Sequence, residues 1–332
     1  MRVLIFAAAL LTSACVSAPA PPVAQRSPTP SPSASGAPVD RVAGWAADLD
    51  ALLAARDNIH PDGWHGQPRA AWLAQAEAVK ASLPALTDAQ ALVAVVRLAA
   101  APSYGGRDGH SGIFPFVGAT HAFPLQLWQF PSGLVVTGAS PPYADLVGAT
   151  VVAVNGHPAA EVLRAVEPLT PRDNPSSLLA YSTLYLRSPE LLVGLGLIDR
   201  VGPTSFSLVD RAGRRRTQVI APVPAAVDNT FAGGAPHTLP TGPSPWLARQ
   251  HEVLWSSYLA DSRTLYVQYN QVRPVPGDAL ASLLARAGRP DVDKVVLDLR
   301  NNGGGDNHNN AALEQVLADP AIDRKGHLLV LI

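Results

Sequence analysis

Val295-Val296-Leu297-Asp298-Leu299-Arg300-Asn301-Asn302-Gly303-Gly304-Gly305-Asp306 is the stretch that decides how this chain is read. Its first half is an apolar run of valine and leucine, the pattern of a strand buried on both faces. Such a strand carries Asp298 and Arg300 to its carboxyl end, and the glycines then let the main chain turn with its amides exposed. Exposed N–H groups at a strand-to-helix turn suit an oxyanion or a phosphate. No Gly-Lys-Ser/Thr follows and the glycines are not spaced as in dinucleotide folds, which disfavours a nucleotide loop. On spacing alone, a plain flexible turn is the commoner explanation of such a run.

Working outward, strand and helix patterns alternate. Leu265 to Tyr269 reads as a strand, Gly277 to Ala287 as a helix, Lys294 to Leu299 as the buried strand, Asn309 to Leu317 as a helix and His327 to Ile332 as an apolar strand. That order predicts an α/β layer with partly parallel strands. The last strand runs to the final residue, which reads as a fragment of a longer protein. Upstream, Val223 to Pro245 is rich in Pro and Gly and marks a linker. Between Phe123 and Pro222 the period shifts towards two: Leu134 to Val136 and Thr150 to Val154 are strands, Asn155-Gly156 is a hairpin turn, and Ala159 to Val166 is a helix. From Val39 the pattern is helical. Val42, Trp45, Leu49, Leu52 and Leu53 share a face, a second helix fits Arg69 to Leu83, and Thr87 with Gln90 forms a capping box before a third. Glycines break that pattern in Tyr104-Gly105-Gly106-Arg107-Asp108-Gly109-His110-Ser111-Gly112.

Composition excludes several classes. The chain has 332 residues, 25 basic against 26 acidic side chains and 47% apolar residues, so a large core forms and general disorder is ruled out. The balance of charge speaks against a nucleic-acid partner. One cysteine gives no internal disulfide and no zinc cluster. That residue, Cys15, follows Met1-Arg2, the apolar run Val3 to Leu11, and Ser13-Ala14. Nine apolar residues are too few to span a bilayer and match an export signal. The site resembles a bacterial lipoprotein cleavage site, with Thr12 where a leucine is usual; ordinary secretory cleavage near Ala18-Pro19-Ala20 is the alternative. Residues 16–38 read as a Pro/Ser-rich tether.

The run Val295 to Gly305 resembles the signature of the tail-specific (C-terminal processing) protease family of serine peptidases. Three further segments agree in order. Gly106 to Ser111 is similar to the Asp-x-His-Ser/Thr segment that precedes the PDZ-like domain in many members. Leu146 to Gly156 looks like the strand and Asn-Gly turn of that domain, and Thr264 to Asn270 like the strand opening the protease core. The resemblance implies an α/β multidomain protein: an N-terminal helical domain (39–115), a PDZ-like β-rich domain (116–222), a linker (223–252) and an incomplete crotonase-like α/β protease core (253–332).

It also implies an exported serine-type peptidase acting on polypeptides by acyl transfer, without a cofactor. The oxyanion donor would be a main-chain amide of Gly303 or Gly304. The nucleophilic serine normally follows the strand after this turn, and the chain stops there, so it is expected to be inactive by itself. Lys325 reads as a surface residue. His110 is either the base that activates serine, as in tricorn-like relatives, or a loop histidine held by local bonds. Asp108 either orients that imidazole or caps the turn. Ser111 is an awkward partner for His110, because neighbours on an extended segment face opposite ways. The other histidines, at 60, 65, 121, 157, 237, 251, 308 and 327, show no metal-ligand spacing. Gly133 to Ser140 would form a PDZ-type surface accepting an extended peptide. The competing function is a non-catalytic, lipid-anchored peptide-binding protein on the same fold.

Overall fold

The computed structural model describes residues 40–106, 108–116, 120–227, 245–249 and 252–332. The export signal, Cys15, the tether, Val39, Arg107, His237, His251 and most of the 223–252 linker lie outside the described residues. The chain divides into two compact units, with the break near residue 236.

The first unit opens with α1 (Arg41–Asn58), α2 (Arg69–Ser82) and α3 (Asp88–Ala100). The Asp40 side chain accepts from the Val42 N–H to start α1, and the capping box of Thr87 and Gln90 starts α3 as the sequence predicts. Trp45, Leu49, Trp72, Val95 and Val96 point inwards. The strands follow: β1 (His121–Ala122), β2 (Leu125–Phe130), β3 (Gly133–Ala139), β4 (Thr150–Val154) and β5 (His157–Pro158). Asn155 and Gly156 join β4 to β5 with φ of 49° and 84°, the left-handed pair that an Asn-Gly hairpin requires. Next come α4 (Ala159–Val166), α5 (Pro175–Leu186), α6 (Pro189–Gly194), β6 (Thr204–Val209), β7 (Arg215–Ile220) and β8 (Val223–Pro224). The main sheet runs β2-β3-β4-β6-β7, with β5 on β4.

One buried cluster joins Trp45, Trp72 and Val96 from the helices to Phe123, Val136 and Phe206 from the sheet. The expected boundary between residues 115 and 116 falls inside this unit, and the core continues across it. Each fully buried aromatic or leucine contributes on the order of 2–3 kcal/mol, so helices and sheet are stabilised jointly. Strand β3 pairs with β2 on one side and β4 on the other. The predicted peptide-accepting stretch at Gly133 to Ser140 is therefore internal to the sheet; β2 and β7 are its edges.

The second unit holds β9 (Leu254–Leu259), β10 (Thr264–Tyr269), α7 (Gly277–Ala287), β11 (Lys294–Asp298), α8 (Asn310–Leu317) and β12 (Leu328–Leu331). Its sheet order is β12-β11-β10-β9. Strands β10, β11 and β12 are parallel and β9 is antiparallel, the partly parallel layer read from the sequence. All of β10 is buried, which explains why its residues do not alternate. Parallel pairing puts the carboxyl ends of β10 and β11 side by side, so the turn after Asp298 emerges beside the turn after Tyr269. Among the described residues no helix is long and apolar enough to cross a membrane.

Candidate active-site loops

The loop after α3 is pinned by two aspartates. Asp108 is 5% exposed. Its Oδ1 accepts from the Ser111 N–H at 2.9 Å and the His110 N–H at 3.3 Å, while Asp173 accepts from the Gly109 N–H. A Cβ at Gly109 would lie 2.3 Å from the Asp173 carboxylate, so a larger residue there would have to displace that side chain. In this turn Ser111 is buried and His110 exposed. Asp108 thus touches His110 through the main chain and caps the turn. The imidazole it faces is that of His60, with Nε2 3.6 Å from Oδ2.

Around this carboxylate the fold gathers residues far apart in sequence. Arg56, 4% exposed, donates to the Ser111 Oγ at 3.3 Å and to the Gly63 carbonyl, and lies over the Trp64 ring at 4.7 Å. Burial lowers the Arg56 pKa, an effect opposed by the charges of Asp108 and Asp57. Burial pulls the Asp108 pKa upwards, but the Ser111 hydroxyl and N–H, the His60 ring and the His110 N–H outweigh it, and the carboxyl stays below its usual range. His60 and His65 stack with ring centres 5.6 Å apart. His60, His65 and Asp108 each place a ligand-type atom within 4.8 Å of the others. The histidines show no metal-ligand spacing in the sequence; His60 and His65 are neighbours in one loop, and the Asp108 beside them comes from another, which residue spacing does not reveal.

The glycine turn of the second unit is built on Asp298, fully buried at the end of β11. Arg300 closes on it with Nη2 2.6 Å from Oδ2 and Nε 3.0 Å from Oδ1, and its N–H meets Oδ1 at 3.0 Å. The Tyr266 hydroxyl donates to Oδ2 at 2.6 Å. Burial raises the Asp298 pKa, yet Arg300 and Tyr266 together hold it below the usual range; burial and the adjacent Asp298 push the Tyr266 phenol up. The Arg300 guanidinium lies over Trp246 at 5.5 Å.

Beyond this clamp the turn is stitched to β10. Asn302 donates to the Tyr269 carbonyl at 2.8 Å, and the Gly303 N–H to the Asn270 carbonyl at 3.1 Å. The Gly304 N–H meets the Asn302 Oδ1 at 2.8 Å. Val272 donates to the Gly304 carbonyl at 2.9 Å and accepts from the Asp306 N–H at 3.0 Å. Residues 303–305 are exposed, yet the amides of Gly303 and Gly304 are engaged, so either must exchange its bond before it holds an oxyanion. His308, largely exposed, sits 2.7 Å from Asp306 at the start of the next helix, and Lys325 is on the surface, as the sequence suggests.

The fold these two units carry is tail-specific-protease-like, mixed α/β. No family model matches the chain, and no curated protein does. Among solved structures, mature CPAF complexed with lactacystin superposes with a TM-score of 0.54 at 14% identity, covering 80% of this chain and 57% of that one. A serine-to-alanine mutant of CPAF gives 0.54 at 15% identity with the same coverage. The chain therefore spans under two thirds of the length of these proteins. The photosystem II D1 C-terminal processing protease is also matched, at 15% identity over 82% of this chain and 64% of that one, with a TM-score of 0.30.

Proposed function

We propose that this protein is an exported serine-type peptidase that hydrolyses polypeptides by acyl transfer, anchored to a membrane through lipid on Cys15. The observation that carries the proposal is the Asp298-to-Asp306 turn: a glycine main chain, open to solvent, held at the carboxyl end of a parallel strand by a buried aspartate that half-exposed Arg300 closes over. That is the rigid support an oxyanion site needs. The likeness of the fold to CPAF supports the same reading. In it, residues 39–115 are a helical domain, 116–222 a PDZ-like domain and 253–332 part of a crotonase-like core. His110, whose ring faces outwards, is the base, Asp108 fixes the loop that presents it, and Gly303 or Gly304 supplies the oxyanion donor. Substrate adds as a strand at the β2 edge, where Trp128 and Phe130 are exposed.

Ser111 is not assigned as the nucleophile, because its hydroxyl is buried and committed to Asp108 and Arg56. None of residues 40–332 is given that role. A fluorophosphonate probe is expected to label a serine of the full-length protein and to lose that labelling in His110→Ala. A folded full-length protein that takes no label would instead favour a lipid-anchored peptide-binding protein on the same fold.

A further inference from the structure

We infer that His60, His65 and Asp108 form a binding site for a zinc-class divalent cation that ties the loop between α1 and α2 to the loop bearing His110. Three observations converge on it. First, the donor atoms already cluster: all lie within 4.8 Å of one another and the His60–Asp108 pair is 3.6 Å apart. Ligands about 2.1 Å from a tetrahedral zinc stand roughly 3.4 Å from each other, so no pair need close by more than about 1.4 Å.

Second, the Asp108 Oδ2 is buried without a hydrogen-bond partner among the described residues, on a side chain only 3% exposed. A buried carboxylate oxygen in that state carries a desolvation cost that a cation would remove. The same residue's Oδ1 is saturated by the turn, which holds Oδ2 aimed at the histidines.

Third, the His65 Nδ1 lies 2.5 Å from the Asp62 carbonyl. An Nδ1–H donated to a main-chain carbonyl is the outer contact that leaves Nε2 deprotonated for a metal. His60 needs one adjustment. Its Nδ1 accepts from the Asp62 N–H at 3.1 Å, which places the proton on Nε2. Coordination through Nε2 moves that proton to Nδ1 and releases the Asp62 N–H to water, which exposed Asp62 can reach.

Two imidazoles and one carboxylate are the borderline donor set of zinc rather than the all-oxygen set of calcium or magnesium. Three protein ligands leave a fourth position for water. Arg56 opposes a cation, but its guanidinium is turned to Ser111, the Gly63 carbonyl and Trp64, which tempers affinity without filling the site. Asp108 lies two residues before His110, so occupancy would stiffen the loop that presents this histidine. The site itself does not depend on His110 being a base.

The test is calorimetric titration of the chelator-stripped full chain with zinc chloride, with cobalt(II) as a spectroscopic stand-in. The expected result is one zinc per chain, a tetrahedral cobalt spectrum and a raised melting temperature. Asp108→Asn and His65→Ala should each weaken binding at least tenfold, while His110→Ala leaves it unchanged. His65 is exposed, so His65→Ala remains readable if the buried Asp108 variant folds poorly. No uptake by the native chain, uptake indifferent to both ligand substitutions, or uptake lost in His110→Ala overturns the proposal.

Discussion

Two glycine loops in this protein are held by the same device and finished differently. Each begins at a buried aspartate whose Oδ1 accepts main-chain N–H groups from the following residues: His110 and Ser111 on Asp108, Arg300 on Asp298. In the Asp298 turn the second oxygen is saturated by Arg300 and Tyr266, both at 2.6 Å. In the Asp108 loop the second oxygen has no hydrogen-bond partner among the described residues and faces His60. A carboxylate with both oxygens satisfied is scaffold. One with an oxygen left over in a protein interior is available to a ligand, because its remaining desolvation cost is still unmet.

The largest effect follows from breaking the closed clamp. Asp298→Ala takes from the Tyr266 hydroxyl its shorter acceptor, leaving the Gln268 Oε1 at 2.9 Å, and leaves Arg300 without its counter-charge. Arg300 is half exposed and can turn to water, so what is lost is the charge-assisted hydrogen bonding of the buried carboxylate, about 2–3 kcal/mol, read as a lower denaturant midpoint of the full chain at unchanged slope. A loss below about 1 kcal/mol would mean that the clamp is not what holds the turn. The same group gives a pH dependence. Its carboxyl is depressed from the ordinary value of 3.8, so its contribution is complete above that value and lost as pH falls through the lower folded value. Asp298→Asn should therefore show a shallower acid destabilisation below pH ~4 than the native chain.

The glycines of the turn divide by the same logic. A Cβ at Gly305 would lie 2.2 Å from the Val272 carbonyl, at φ +145°. Gly305→Ala is therefore expected to cost on the order of 2 kcal/mol and to disrupt the bonds between Val272 and the turn. Gly303 has open space where its Cβ would be, and Gly303→Ala should stay within about 0.5 kcal/mol while keeping the N–H that bonds Asn270. Equal losses at the two positions would show that the turn is not anchored through Val272.

Much of the second unit was legible because its cues are local. The strand Lys294 to Asp298, the helix Gly277 to Ala287 and, in the first unit, the Asn155-Gly156 turn follow from runs and periods inside a single window. The hairpin of β6 and β7 and the helix α5 were not individually read. Thr204 to Val209 alternates plainly, but α5 begins at Asn174-Pro175, which also reads as a turn. For the site, Asp298 with Arg300 is an i, i+2 pair at the end of one strand and could be seen as a unit. Arg56, His60 and His65 reach Asp108 only through tertiary packing, and nothing in their spacing announces it. The engaged amides of Gly303 and Gly304 were equally hidden, since their partners Asn270 and Asn302 are chosen by how β10 and the turn meet.

Of the two aspartates, the open carboxylate should give the smaller effect. Asp108→Asn keeps an oxygen to accept from the Ser111 and His110 N–H groups, so the turn survives. What changes is the charge. The loss includes the attraction of Asp108 for buried Arg56, which its charge supports, and the contact with His60. Against these stands relief from burying an oxygen with no hydrogen-bond partner. The opposing terms leave about 1 kcal/mol or less in chelator-stripped protein, against more than twice that for Asp298→Asn, where the amide nitrogen would confront the Arg300 guanidinium. Adding zinc should reverse the order of apparent silence: the native chain gains stability and Asp108→Asn does not, so the gap between them widens with metal concentration. Equal costs for the two asparagine substitutions in stripped protein, with no zinc-dependent gap, would erase the distinction between the closed and the open aspartate.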